Sequence, residues 1–304
     1  MELRYLKYFV MVAQTQHFTR AAEQLGIAQP PLSQQIKKLE QEIGVPLFDR
    51  SSRKVELTKV GETLYVDALN ILKSVEQAKA RAQQMARGEN IEVRIGFATS
   101  TAICKEVLAI MRHLRETFPK VNFIGVELPM HKLVEQLKEK QLDLAFKRLP
   151  CYACEQLERI MLFEEPFIAV IPSNTPLASQ STLTFSQLRS ERILQFPRET
   201  GPALYDEMTS IFSDKGIVCD PLYSAPQLRS AVAMAQAGFG IAIVPRSLAE
   251  HLDNSTTVAS IQDMPLISQV VVAWEPNNLN HQVRQIIASI RHYKVQYLSN
   301  EPME

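Results

Sequence analysis

Between Thr58 and Arg87 the chain holds no proline, and its single glycine there, Gly61, stands near the start. Such a stretch predicts one helix of about 29 residues, roughly 40 Å long. A small domain cannot wrap a helix of that length, so it must join parts that fold separately. Along it Leu64, Ile71, Ala78 and Met85 recur every seven residues, and Ala68, Val75 and Ala82 recur on the offset that completes an a/d seam. The seam predicts pairing with a second copy of the same helix. A helix packed only on its own domain shows a broader and less regular apolar face.

Ahead of this helix, Thr19 to Leu39 reads as two short helices joined by a tight turn. Thr19 supplies a hydroxyl that can cap a first helix, on which Ala21, Ala22 and Leu25 share one small or apolar face. Gly26 tolerates the left-handed backbone that ends a helix, and Pro30 and Pro31 fit a first turn that needs no N–H donor. Leu32, Ile36, Leu39 and Ile43 then form one buried stripe. Gln29, Ser33, Gln34, Lys37 and Lys38 face away. Amides can bond adenine bidentately and lysines can meet phosphates, so this outer face has the chemistry of a recognition helix in a major groove. A plain helical hairpin with a solvated face is the competing reading. Leu3, Leu6, Phe9, Val10 and Ala13 add a third helix, with Phe18 at the centre of the core. Val45 to Phe48 and Lys54 to Leu57 can pair as strands around Ser51-Ser52, which makes a wing. Arg50, Arg53, Lys54 and Lys59 lie on or beside its tip, where cations can track phosphates.

Whole-chain charge neither supports nor opposes a nucleic-acid partner, because 33 Lys and Arg balance 33 Asp and Glu. Residues 1–60 carry nine basic against six acidic side chains, so the modest basic excess sits at the N-terminal end. Cys104, Cys151, Cys154 and Cys219 are too few and too scattered for a disulfide framework, and they suit a reducing cytoplasm. The first residues carry charges within their apolar pattern, and nowhere do about 18 apolar residues run together, so neither a signal peptide nor a membrane span is expected.

From Ile91 the pattern changes to alternating strands and helices. Strands are expected at Val93 to Phe97, Val121 to Leu128 and Leu142 to Phe146, with helices at Ala102 to Thr117 and Lys132 to Glu139. A second set follows: strands at Arg192 to Phe196, Cys219 to Ser224 and Gly240 to Val244, and helices at Ala203 to Lys215 and Leu228 to Ala237. A parallel sheet is the economical reading. Extended runs at Leu162 to Pro172 and Ser268 to Trp274 cross between the sets, and a helix from Asn280 to about Tyr297 precedes a frayed tail, SNEPME. Two crossings make a double hinge between two lobes, a geometry suited to closing on a small molecule.

The stretch FTRAAEQLGIAQPPLSQQIKKLEQEIGVPLFDRSSRKVELTKVGE resembles the LysR-type transcriptional regulators. Ala21-Ala22, Leu25, Gln29-Pro30, Ser33, Ile36, Leu39-Glu40, Gly44, Leu47-Phe48, Arg50 and Thr58 carry the resemblance, which extends over the whole chain. MELRYLKYFV and AQPPLSQQI are most similar to the aromatic-acid catabolism branch, with its muconate-, chlorocatechol- and phenylpropionate-responsive members. The resemblance implies an all-α winged helix-turn-helix at residues 1–58, a linker and dimerisation helix at 59–88, and an α/β two-lobed effector domain, periplasmic-binding-protein-like, at 91–304. Lobe I would comprise 91–162 and 268–304, and lobe II 163–267. It further implies a homodimer or homotetramer that binds double-stranded promoter DNA, acts on RNA polymerase, and responds to a small carboxylate inducer between the lobes. Thr19, Gln29, Pro30, Pro31, Ser33, Gln34, Lys37, Arg50, Arg53 and Lys54 would meet DNA. Gln34 stands where close relatives often have Arg, which puts that contact in question.

For the inducer, Thr99, Ser100 and Thr101 follow a strand and open a helix, so their hydroxyls and free N–H groups favour a carboxylate, although a simple N-cap reads equally from them. Arg148, at a strand end, can grip a carboxylate bidentately, and the family places an inducer-contacting arginine there; an interlobe salt bridge is the other reading. Phe196, Pro202 and Leu204, from the matching loop of the second lobe, would wall off an apolar or planar ligand body. Met130 replaces a threonine of the muconate-type relatives, which favours a less polar or bulkier acid. Cys151-x-x-Cys154 can be half of a zinc site or a redox pair, but no second CxxC or histidine pair completes a tetrahedral shell, and its role stays open. No metal, cofactor or catalytic constellation is expected, and Glu127 and Asp143 read as strand-end charges. A two-lobed small-molecule-binding protein with no role on DNA is the alternative.

Overall fold

A computed structural model of the protein describes residues 1–49, 55–86, 91–219, 224–250 and 252–298. The chain divides into two compact units, Met1–Glu89 and Asn90–Glu304.

The first unit is built from α1 (Leu3–Thr15), α2 (Phe18–Leu25), α3 (Gln29–Ile43), the antiparallel pair β1 (Phe48–Asp49) and β2 (Glu56–Leu57), and α4 (Lys59–Ala86). Leu6, Phe9, Val12, Leu32, Ile36, Leu39 and Leu47 are buried together, and full burial of each such side chain contributes about 1.5–3 kcal/mol. Ala21 and Ala22 are buried beside them, which lets α2 approach closely. Phe9, rather than Phe18, takes the centre: its ring lies 5.3 Å from that of Phe48, whereas Phe18 is half-buried at the edge.

The local signals mostly act as expected, with one exchange of roles. Gly26 closes α2 at φ 67° and Gly44 closes α3 at φ 86°, both left-handed. The cap of α2, however, is His17, whose Nδ1 accepts from the N–H groups of Thr19 at 3.2 Å and Arg20 at 3.4 Å. Thr19 is thereby two residues past the cap, in the first turn of α2, and stands exposed within the helix. At the other end of the unit, the Thr58 hydroxyl donates to the Pro46 carbonyl and accepts from the Gly61 N–H, both at 3.0 Å. A Cβ on Gly61 would collide with the Leu47 carbonyl oxygen, so glycine is what allows α4 to leave against β1.

The heptad seam of α4 is divided in the structure. Ala68 is fully buried in its own unit and Leu64, Tyr65 and Leu72 pack against the same core, which corrects the expectation that Ala68 lies in an intermolecular seam. Val66 is 57% exposed and Leu69 38%, and Ile71 and Ala78 are also exposed. The side chains of Ala82 and Met85 lie outside the described residues, as do the Ser51-Ser52 turn and Arg87 to Asn90.

The second unit runs β3 (Ile91–Phe97), α5 (Lys105–Thr117), β4 (Val121–Glu127), α6 (Met130–Lys138), β5 (Leu144–Leu149), β6 (Glu158–Pro172), β7 (Thr182–Leu183), α7 (Phe185–Leu188), β8 (Ile193–Leu194), α8 (Pro202–Asp214), α9 (Leu228–Gln236), β9 (Ile241–Pro245), β10 (Thr256–Ile261), β11 (Ile267–Trp274) and α10 (His281–Tyr293), continued by a π turn at Lys294–Leu298. The 15-residue β6 serves two lobes. Its first part pairs with β11, and its last residues pair with β9 and β10. One core gathers Val93, Ile95, Phe146, Leu162 and Val272 under α5 and α10. The other gathers Ala169, Ile171, Ile193, Ala242 and Val244 under α8 and α9.

The sheet is mixed, not parallel. β3 runs parallel to β4 and β5, but β11 is antiparallel to both β5 and β6. β5 and β6 therefore share a direction without being neighbours, because β11, from the end of the chain, lies between them and runs the opposite way. β10 and β7 were not expected; β10 is the polar sequence TTVASI, whose alternation is blurred by Thr and Ser. α5 begins three residues later than its periodicity suggests, because residues 99–103 form a turn instead. Of the expected strand at Cys219 to Ser224, residues 220–223 lie outside the described residues, and Ser224 forms a single bridge with Gln195. No helix among the described residues is long and apolar enough to cross a membrane.

Candidate functional site

The first unit presents the outer face of α3. Leu32, Ile36 and Leu39 point into the core, so Gln29, Pro30, Pro31, Gln34, Lys37 and Lys38 are left exposed and Ser33 half-buried. Gln29 Nε2 donates to Ser33 Oγ at 2.9 Å, which orders the two side chains at the start of the helix. Pro30 and Pro31 sit in the first turn, where their missing N–H groups leave nothing unpaired. Thr19 is exposed on the neighbouring α2. Arg50, Arg53 and Lys54 lie outside the described residues. An ordered amide and hydroxyl beside exposed lysines on a rigid helix can hydrogen-bond base edges and meet phosphates.

In the second unit a cavity of about 190 Å³ is walled by both lobes. The turn after β3, the start of α6, the residues after β5, the segment entering α8 and the start of α9 all contribute. Of the residues expected to hold an inducer, Thr99, Ser100, Met130, Arg148, Phe196, Pro202 and Leu204 line it. Thr101 does not. It is fully buried, and its hydroxyl donates to the carbonyls of Ala98 at 2.9 Å and Phe146 at 3.0 Å, so its work is to hold the turn.

Arg148 reaches the cavity wall but its donors are committed elsewhere. Nη1 donates to Glu165 Oε1 at 2.5 Å and to Ser268 Oγ at 2.6 Å, Nη2 to Ser247 Oγ at 2.8 Å, and Nε to Ser100 Oγ at 3.1 Å. The carboxylate it grips is therefore that of Glu165, which also accepts the Ser247 N–H at 2.5 Å. Arg148 is 3% exposed and Glu165 7%, so the pair is buried and hydrogen-bonded on both sides. Because Ser247 follows β9 and Arg148 lies on β5, the network ties one lobe to the other.

The polar groups still open to a ligand are different ones. Among the described residues, neither the Thr99 hydroxyl nor the N–H groups of Thr99 and Ser100 have a hydrogen-bond partner. Arg229, exposed at the start of α9, lines the cavity and has no carboxylate partner among the described residues. Its place beside the predicted helix start at Leu228 is the signal that could have found it. Met130, Val134, Leu149, Phe196 and Leu204 supply apolar walls, and the Phe196 ring is held edge-on against Tyr205 at 6.0 Å. At the rim Tyr152 Oη donates to Asp206 Oδ2 at 3.2 Å, and Arg198 grips the same carboxylate with two bonds of 2.7 Å. A planar or apolar body bearing one carboxylate fits this set of donors and walls.

A recognition-helix face on a winged helix-turn-helix, and a two-lobed α/β unit closed on a small cavity, define a DNA-binding regulator with an effector domain. Comparison with known proteins agrees over the full length. Residues 3–62 match the model of the bacterial regulatory helix-turn-helix proteins of the lysR family, and residues 86–294 match the LysR substrate binding domain. The chain is 37% identical to the HTH-type transcriptional regulator BudR of Raoultella terrigena, covering 94% of this chain and 99% of that one. It is 33% identical to the probable cat1 operon transcriptional activator of Acinetobacter lwoffii over 91% of each. The crystal structure of full-length BenM is similar at 28% identity and a TM-score of 0.57, over 100% of both chains. The chain belongs to the LysR family of DNA-binding transcriptional regulators.

Proposed function

We propose that this regulator binds promoter DNA as a homodimer, assembling further into a homotetramer, and that a small carboxylate in the interlobe cavity sets its activity. The observation that carries the inducer class is the pairing of unpartnered donors with apolar walls: Thr99, the Ser100 N–H and Arg229 face a cavity otherwise lined by residues such as Met130, Phe196 and Leu204. An aromatic acid or a ring-cleavage product has the matching shape and charge. Arg148 acts one step back, by holding the lobes that frame the cavity.

In this reading residues 1–58 read DNA, 59–88 pair the subunits, and 91–304 form the effector domain, with lobe I at 91–162 and 268–304 and lobe II at 163–267. Gln29, Pro30, Pro31, Ser33, Gln34, Lys37 and Thr19 meet the duplex together with Arg50, Arg53 and Lys54 of the wing. The exposed Val66, Leu69 and Ile71 of α4 supply the surface for pairing. The protein works in the cytoplasm, acts on RNA polymerase at the promoter, and is not an enzyme.

Two measurements test this. Selection from random duplexes should enrich a site with two-fold symmetry, as a symmetric pair of readers requires. Benzoate, cis,cis-muconate and 3-phenylpropionate, screened by thermal shift, should include at least one acid that raises the melting temperature. Recovery of no preferred sequence, or of no stabilising acid, would count against the respective half of the proposal.

A further inference from the structure

Next to Arg148 on β5 stands a second cation that the cavity does not use. Lys147 is fully buried. Its Nζ lies 2.6 Å from Cys154 Sγ and 3.1 Å from Cys151 Sγ, and among the described residues these sulfurs are its only hydrogen-bond partners. No carboxylate of the described residues lies within ion-pair distance of it. The two cysteines are joined as a disulfide, with Cα atoms 6.3 Å apart. Cys154 is buried in an apolar cluster with Leu133, Leu137 and Ala145, while Cys151 is half-buried and lines the cavity.

A buried amine with only sulfur for company is costly unless one of those sulfurs can carry a charge. With the disulfide formed it cannot, and burial, aided by the nearby Arg159 and Lys138 and opposed only by Glu155, pushes the lysine down to about 8. Once the bridge is reduced, a thiolate can stand against the ammonium at the same two contacts. A cation beside a cysteine is also what lowers a thiol into the reactive range.

We propose that Cys151 and Cys154 are a reversible thiol–disulfide site of this regulator, with Lys147 as the counter-charge and proton donor of the reduced form. The substrate class is a hydroperoxide, admitted through the cavity to Cys151. The Cys151 thiolate attacks the peroxide oxygen and the O–O bond breaks. Lys147 gives its proton to the departing alkoxide, leaving a sulfenic acid, an alcohol and a neutral amine. The Cys154 thiol then attacks the sulfenic sulfur, and its proton leaves with the hydroxyl as water. Both sulfurs are oxidised by one electron each, and the two peroxide oxygens are reduced. Because Pro150, Cys151, Tyr152 and Ala153 form part of the cavity wall, the state of the bridge is felt there.

The test uses the full-length protein, reduced, desalted and exposed to hydrogen peroxide. Alkylation and peptide mass measurement should show the peptide carrying Cys151 and Cys154 lighter by two hydrogens and unalkylated, reversed by dithiothreitol. Cys104 and Cys219, whose thiols burial pushes up, in Cys219 to about 11, should stay alkylatable and unoxidised. In Cys154→Ser, the pH profile of Cys151 alkylation should have its midpoint at least about one unit below the ordinary thiol value near 8.5. Lys147→Met should return that midpoint to the ordinary range, and Lys147→Arg should keep it low, which a merely structural lysine would not do. If Lys147→Met does not fold, the peroxide experiment and the Cys154→Ser profile decide the matter without it. An unchanged peptide after peroxide, or an ordinary midpoint at Cys151, overturns the proposal.

Discussion

Replacing Lys147 by methionine should make the disulfide form of this protein more stable, although it removes a fully buried, hydrogen-bonded side chain. The folded chain holds the lysine at about 8 against 10.5 in its ordinary state. At roughly 1.4 kcal/mol per pH unit this gap corresponds to about 3 kcal/mol. Below pH 8 the amine is charged in folded and unfolded chains alike, and the folded state bears the whole penalty of keeping it from water. Between pH 8 and 10.5 the folded chain releases the proton while the unfolded chain retains it, so wild-type stability rises with pH across that window. Methionine fills a similar volume and has no charge to desolvate. The variant should therefore melt higher at pH 7, by roughly 6–12 °C for a unit of this size, and the gap should shrink by more than half by about pH 9.5. Trp274, the single tryptophan, is buried on β11 with its Nε1–H donated to Glu158 at 3.1 Å, so its fluorescence follows unfolding of the second unit alone. Reduction of the disulfide should erase most of the gain, because a thiolate then compensates the ammonium. Equal or lower melting of the variant at pH 7, or a gap indifferent to pH, would refute the reasoning.

Other outcomes follow from the same geometry. Arg148→Met leaves the Glu165 carboxylate buried without its cation and should destabilise the second unit by about 3–5 kcal/mol; pairing it with Glu165→Gln should recover a good part, both read from denaturant unfolding of Trp274. Gln29→Ala should cost about 1–3 kcal/mol on a selected duplex and relax the preference at one base pair, measured by competition binding. Arg53→Ala should instead weaken binding to all duplexes alike and lower the salt dependence by about one phosphate contact.

The DNA-reading unit was legible because its signals are local. Gly26, Gly44, Pro30, Pro31 and the spacing of Leu32, Ile36 and Leu39 each act within one or two turns of helix. Where a local rule had two candidates, the wrong one could be chosen: His17 caps α2 although Thr19 has the commoner capping side chain. The second unit was legible as α/β and two-lobed, but strand direction is not written in any one strand, so the antiparallel β11 escaped. The candidate site was half readable. Thr99, Phe196 and Leu204 could be placed in a cleft from their positions at element ends. Arg148 could be seen as a cation at a strand end, but its partner Glu165 comes from the far side of a loop, and Ser247 and Ser268 come from about a hundred residues further on. Lys147 looked like any lysine near a strand end; only the return of the chain through Cys151 to Cys154 shows that its amine is buried against two sulfurs, with no carboxylate at ion-pair distance among the described residues.

Benzoate, cis,cis-muconate, 3-phenylpropionate and the corresponding neutral amides should be titrated against the wild-type protein and Arg229→Gln, with unfolding followed at Trp274. At least one acid should stabilise the wild type, its amide should not, and Arg229→Gln should lose about tenfold or more in affinity for that acid, as loss of a charge-assisted bond of about 1.5–3 kcal/mol implies. Stabilisation by amides and acids alike, or an affinity unmoved by Arg229→Gln, would contradict the assignment of this cavity as a carboxylate site.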